Sequence, residues 1–510
     1  MLKRKWGLVA AAAGALGSTT AAQAEWREVE TAHFRIYSEG KEKDVVQYAE
    51  RLEAVHCLMK IATGMKDDKP VNKVDVYYVY SVDELRRVLD AKPNSSVAGI
   101  YIPSIRGSAA IVPRSNGGSD LDPQSVLFHE YAHHFMLQYQ PGAYPPWYVE
   151  GWAELISTAS FERKGTITFG KAASHRQGEL EYLRWIPLRN LMGRSKEDRD
   201  VINRDYGSYY GQSWLLAHYL TLSDKRPGQL RAYVLAVLRG QSDEEAWKVF
   251  GDIDELEREV RAYLRAANFP YKAPPLPPEV MAIQSSRALR PGEAAIMDER
   301  IESLHQKMDE EERADILTRT EAEAARFPDD AAVQLFLAEQ YADAENWAKS
   351  ALAAERAVAL DATLARAHLA QGLALSHGEA ADEEKARAAL DQALALAPTD
   401  PAVLYGQFEG AARLGNAPGG ATVDQLIRAS DLAPQNDGIR LAASEALIRK
   451  GDLGGALRRL MPLASDPHPS GAQRRAQQLV AWLAGGGSGT PPSPGAESGE
   501  KDGADESGGS

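Results

Sequence analysis

Apolar and polar positions change period several times along the first half of the chain. His33 to Tyr37 and Val74 to Tyr80 have the β-branched and aromatic density of strands, and Val45 to Ile61 between them follows a helical period. Gly99 to Ile102 and Ser108 to Val112 are two further strand-like runs, separated by Pro103 and Arg106-Gly107 as a hairpin requires. Helical patterns then dominate to Ala267. Asp122 before Pro123 marks a helix start, and the spacing of Val126, Leu127, Phe128, Tyr131, Phe135 and Met136 carries that helix to about Tyr139. Pro141-Gly142 ends it. A second helix begins at Pro145-Pro146. These elements predict an α+β block over residues 25–270.

Pro270, Pro274, Pro275, Pro277, Pro278 and Pro291 then disfavour continuous helix, which predicts a Pro-rich linker over 271–299. Beyond it the pattern is Ala-rich and periodic. Ala357, Ala393 and Ala429 stand 36 residues apart, Leu360, Leu396 and Leu432 keep the same phase, and the segments end at Ala362, Pro398 and Pro434. The phase extends back to Pro328 and forward to Pro467, so four or five helix pairs fit over 300–483. The period and the Ala386, Leu390, Ala393, Pro398 pattern resemble tetratricopeptide (TPR) repeats, with Ala or Leu at most of the aromatic positions. That resemblance implies an all-α domain with a concave groove for a protein partner.

Composition narrows the partners. Hydrophobic residues at 44% and charged residues at 25% describe a folding chain. With 58 Lys+Arg against 72 Asp+Glu the net charge of −14 is the wrong sign for neutralising phosphates, so no nucleic-acid partner is expected. Cys57 is the single cysteine, so any metal must be held by His and carboxylate. Lys3, Arg4 and Lys5, an apolar run from Trp6 to Gly17 and the triplet Ala22-Gln23-Ala24 read as a signal peptide over 1–24. No other uncharged apolar run approaches the ~20 residues of a membrane span. The expected product is exported, secreted or periplasmic, with no stable membrane span after cleavage. From Gly485 onward Gly, Ser, Pro and acidic residues predict a disordered tail, set at 484–510.

His129-Glu130-Tyr131-Ala132-His133 is an H-E-x-x-H sequence on the first predicted helix. Residues four apart share a helical face, so both imidazoles can bind one zinc. The second helix offers Glu150 and Glu154, and the 16 residues between His133 and Glu150 allow the two helices to run antiparallel. Two His and one Glu leave a fourth position open for water.

His129-Glu130-x-x-His133 followed by Trp147-Tyr148-Val149-Glu150-Gly151-x-Ala153 resembles the gluzincin zinc metallopeptidases. The resemblance implies a zincin-like metallopeptidase domain, so the expected fold class is α+β followed by all-α TPR-like repeats. It implies one Zn2+ per chain on His129, His133 and Glu150, with Glu154 orienting a ligand histidine. In the reversed order Glu154 is the ligand. Tyr210-Gly211-Gln212-Ser213 is similar to the Y-x-x-G helix of the aminopeptidase-like members and implies Tyr210 as oxyanion donor. Ser213 replaces the glycine there, and Tyr206 or Tyr209 could take the role. The substrate-binding edge strand is implied at Ser108 to Pro113, and no G-x-M-E-N segment for capturing a free N-terminus is present. Glu130 is implied as general base for a zinc-bound water. The expected function is an exported metallopeptidase, an endopeptidase, acting on a protein or peptide substrate recruited by the repeats. The competing reading is a catalytically inactive scaffold that binds a protein partner. His134 lies about 100° round the helix from His133 and is expected outside the ligand set. His175 and His218 could approach the site, but lone histidines are more often structural.

Overall fold

The computed structural model describes residues 25–66, 72–89, 98–115, 122–162, 166–277, 281–305, 308–378, 382–415, 420–468 and 470–492. The expected signal peptide and residues 493–510 of the expected tail lie outside the described residues.

The chain opens with β1 (Trp26–Glu30), β2 (Phe34–Glu39), α1 (Glu42–Thr63), β3 (Val74–Val79), α2 (Val82–Val88), β4 (Ile100–Ile102) and β5 (Ala109–Pro113). Next come α3 (Pro123–Tyr139), α4 (Pro146–Ser157) and the small hairpin β6 (Ser160–Phe161) and β7 (Ile167–Thr168). A helical run follows: α5 (Gln177–Tyr182), α6 (Leu188–Leu191), α7 (Lys196–Arg204), α8 (Tyr209–Leu222), α9 (Gln229–Leu238), α10 (Asp243–Trp247) and α11 (Ile253–Ala266). Then β8 (Ser285–Ala288), α12 (Pro291–Ala295) and α13 (Met297–Glu302) lead to the repeats.

One six-stranded sheet has the order β4-β5-β3-β2-β1-β8. The pairs β2–β3 and β3–β5 are parallel, which requires crossovers, and α1 and α2 lie on those connections. Period-2 alternation sends Val29, Phe34, Ile36, Val76 and Val112 to one face, against Leu52, Val55 and Leu58 of α1 and Phe128, Tyr131 and Phe135 of α3. Tyr37, Tyr77, Val79, Ile102 and Ile111 face the other way, onto Leu85 of α2 and Met297 and Ile301 of α13. Two expectations are corrected here. Ser108 to Pro113 is not an edge strand, because β4 pairs along the outer side of β5. Residues 271–299 are not a free linker: Lys272 bridges to Phe169, and β8 pairs antiparallel with β1.

The repeats start with α14 (Glu310–Arg326) and pair α15 (Ala331–Asp343) with α16 (Trp347–Leu360), α17 (Ala365–Ser376) with α18 (Glu383–Leu396), α19 (Pro401–Arg413) with α20 (Gly420–Leu432), and α21 (Asp437–Lys450) with α22 (Leu453–Ala464). Helix α23 (Gly471–Ala484) closes the stack. The breaker positions set this period: Asp330, Asp400 and Asn436 each accept a hydrogen bond from a first-turn N–H and so cap α15, α19 and α21. The first residues beyond α23 turn back, and Arg475 donates to the Pro492 carbonyl at 2.6 Å.

Helix accounts for 64% of the described residues. The expected class, an α+β zincin-like metallopeptidase domain with all-α repeats behind it, is corrected to a mostly helical chain dominated by a TPR-like array. The strand-forming runs are short and end at Pro113, apart from one two-stranded hairpin and β8, whereas helical patterning continues to Ala484. The array lies back over the sheet-bearing part. Gln435 donates to Gln138 of α3 at 2.9 Å, and Arg366 of α17 donates to the Arg106 carbonyl in the β4–β5 turn at 2.8 Å. Among the described residues, no helix is long and apolar enough to cross a membrane.

Candidate metal centre

Helix α3 is started by Asp122, whose carboxylate accepts from the Ser125 N–H, with Pro123 in the first turn. The helix then stacks His129 and His133 one turn apart on its inner side, with their Nε2 atoms 3.0 Å from each other. Helix α4 starts at Pro146 and presents Glu150 after one turn, fully buried. Glu150 Oε2 stands 3.4 Å from His129 Nε2 and 3.6 Å from His133 Nε2. One donor atom from each residue lies within 4.8 Å of the others. Four donors about 2.0–2.1 Å from a tetrahedral zinc stand roughly 3.3–3.4 Å apart, so these three edges match one face of that tetrahedron.

The chemistry of the cluster also fits a cation. Both Glu150 carboxylate oxygens are buried without a hydrogen-bond partner, an arrangement that is costly unless a positive charge sits between them and the imidazoles. Burial opposes ionisation of Glu150, and His133 and His129 overcome it and hold its pKa well below the usual carboxylate range. Burial likewise opposes a charge on His129, and Glu150 and Glu154 outweigh it, raising His129 to about 10.

Glu154 lies one turn beyond Glu150 and does not enter the three-donor face. Its Oε1 is 3.1 Å from His129 Nδ1, and it accepts from Arg176 at 2.7 Å and pairs with His175 Nε2 at 2.9 Å. Accepting the Nδ1 proton turns the Nε2 of His129 into the cluster, where a bound cation would take the place of its proton. Glu130 lines a cleft of about 240 Å³ together with His133, Tyr101 and residues of the array. Tyr210 sits at the start of α8 with its ring 6.3 Å from that of His129. Its hydroxyl is hydrogen-bonded to Tyr206 at 3.0 Å, and Arg176 lies over its ring at 4.9 Å. Burial first, and Glu150 next, push the Tyr210 phenol far up. Tyr209 is buried and Tyr206 is half-exposed.

The other histidines separate by environment. His134 is buried between Tyr101, at 2.6 Å, and Gln435, and burial lowers it to about 3. His218 is buried on the Gly170 carbonyl, away from the cluster. His468, in the turn between α22 and α23, was invisible to sequence reasoning. It comes from the array to within 3.6 Å of Glu150 Oε1, with its ring 5.9 Å from that of His133. No local signal marks it, because it stands alone after the breaker Asp466-Pro467.

No family model and no curated protein matches the chain. Among the solved structures that match are repeat proteins. MamA is 17% identical with a TM-score of 0.25, over 32% of this chain and 92% of that one. A thermophilic TPR protein in Thermus thermophilus is 18% identical with a TM-score of 0.28, over 33% and 90%. The APC/C hetero-tetramer Cut9-Hcn1 is 15% identical with a TM-score of 0.30, over 69% and 68%. The expected membership of the gluzincin metallopeptidases is corrected on these findings, which return repeat proteins and no peptidase. The expected zinc-metallopeptidase activity is corrected with it, and no catalytic role is carried forward for Glu130 or Tyr210.

Proposed function

We propose that the chain is a protein-binding scaffold whose TPR-like array takes an extended segment in its concave face and is built onto a part that holds one zinc ion. One observation carries the binding reading: the groove already holds a polypeptide segment, the turn between β4 and β5. Ile105 packs on the clusters containing Leu369 and Leu404. The Arg106 guanidinium stands 3.9 Å from Glu339 and 3.6 Å from Asp343 of α15, while Arg366 takes its carbonyl. Apolar contact, a paired cation and a bonded backbone carbonyl are the means by which a groove reads an extended peptide. The fitting partner segment therefore carries an apolar residue next to a basic one.

Zinc on His129, His133 and Glu150 is the second part of the proposal, supported by the buried Glu150 oxygens that lack a partner. The third is an extracytoplasmic location, supported by the order of basic, apolar and small residues over 1–24.

The test weakens the internal segment and supplies it in trans. In the full chain carrying Ile105→Ser and Arg106→Ala, a labelled peptide of residues 101–109 should bind saturably by fluorescence anisotropy, and Glu339→Gln with Asp343→Asn should weaken it. Metal content should be near one zinc per chain, and lost in Glu150→Ala. Absence of peptide binding overturns the groove reading. Hydrolysis of an unfolded protein that Glu130→Gln abolishes overturns the scaffold reading.

A further inference from the structure

Three donors at 3.0, 3.4 and 3.6 Å form one face of a tetrahedron, which has a fourth corner to fill. From the array, His468 brings its Nε2 to 3.6 Å from Glu150 Oε1 and its ring to 5.9 Å from that of His133. A second observation concerns the other ring nitrogen. His468 Nδ1 is 3.3 Å from Asp466 Oδ1, the same carboxylate-on-Nδ1 arrangement that Glu154 makes with His129. A carboxylate on Nδ1 fixes the tautomer that leaves Nε2 as the metal donor. The His468 side chain is 58% exposed and stands outside the three-donor cluster, so it joins by turning its Nε2 inward. Gln435, between α20 and α21, ties the array to α3 through Gln138 and lines the same cleft as His468.

We propose that His468 is the fourth ligand of this centre, carried in by the repeat array, so that the metal fastens the array to α3 and α4 through a closed site of three histidines and one glutamate. This rests on the zinc reading of His129, His133 and Glu150. A site with four protein ligands has no position left for water, which is the form of structural zinc. Zinc then sets how firmly the array is seated, and stripping it frees the α22–α23 turn.

X-ray absorption on the full chain loaded with one equivalent of zinc tests this, beside His468→Ala, with chelator competition on both. Three imidazoles in the wild type and two in the variant are expected. Loss of a ligand should weaken zinc by more than the ~10–100-fold typical of losing a residue that only orients one. Circular dichroism should be unchanged, because His468 is exposed. Two imidazoles in both proteins with equal affinity would overturn the fourth ligand and leave the three-residue site standing. No zinc on either protein would overturn both.

Discussion

Gly151 follows Glu150 in α4 and marks where that helix touches α8. A Cβ built there would lie 2.3 Å from the Ser213 carbonyl oxygen, 2.8 Å from its carbon and 3.0 Å from Ala217 Cβ. Carbon and carbonyl oxygen normally approach to about 3.3 Å, so Gly151→Ala must part the two helices by roughly 1 Å. The obstacle is helix backbone and cannot rotate away. Overpacking of this kind costs about 1–3 kcal/mol, of which alanine's better helix propensity returns up to about 1 kcal/mol. A net loss of about 1–2 kcal/mol corresponds to a fall in Tm of roughly 2–8 °C for a unit of this size. The same movement displaces Glu150 from imidazoles at 3.4 and 3.6 Å, where a metal tolerates about 0.2 Å, so zinc affinity should fall at least about tenfold. Scanning calorimetry and competition with a chromogenic chelator read the two effects. Gly178→Ala in α5 is the control, since nothing lies within 4 Å of its Cβ: it should leave zinc affinity unchanged and not lower the melting temperature. If Gly151→Ala melts at or above the wild-type temperature and holds zinc equally well, the α4–α8 contact does not position Glu150.

Glu154→Gln keeps the volume but removes the charge that His129 Nδ1, His175 and Arg176 share, and zinc affinity measured by competition should fall about 10–100-fold. An unchanged affinity would remove Glu154 from the centre. His218 is held neutral by burial, its pKa lowered to about 4. The unfolded chain therefore takes that proton first: the stability the neutral ring contributes is whole above about pH 6.5 and is lost as pH falls towards 4, roughly 3 kcal/mol in all. Urea unfolding at pH 7 and pH 5 should show a smaller loss in His218→Gln, and equal losses would refute the assignment. Gln435→Ala strands the buried Gln138 amide oxygen and should cost about 1–3 kcal/mol, read as earlier urea unfolding, and a change within error would mean the array does not lean on α3 there.

The helix starts at Asp122-Pro123 and at Pro145-Pro146, the 36-residue phase of Ala357, Ala393 and Ala429, and the shared face of His129 and His133 were all legible from residues close in sequence. Each depends on a cap, a fixed φ or a helical period, which act within one or two turns. Spacing put Glu150 and Glu154 on one helical face but left open which of them meets the histidine Nε2 atoms; the packing of α4 against α3 brings Glu150 there and Glu154 to His129 Nδ1. Everything that depends on which elements meet was decided by tertiary packing. The strand β4 covers β5, β8 joins the sheet from a Pro-rich stretch, Ile105 and Arg106 enter a cleft lined by α15, α17 and α19, and His468 crosses from the array to Glu150. These contacts join residues tens to hundreds of positions apart, and the free energy that selects them is burial and charge pairing summed over whole faces. The gluzincin resemblance rested on two local motifs over α3 and α4. Those motifs determine donors and spacing on two helices, whereas the mostly helical architecture and the approach of the array to Glu150 are properties of how the helices stack.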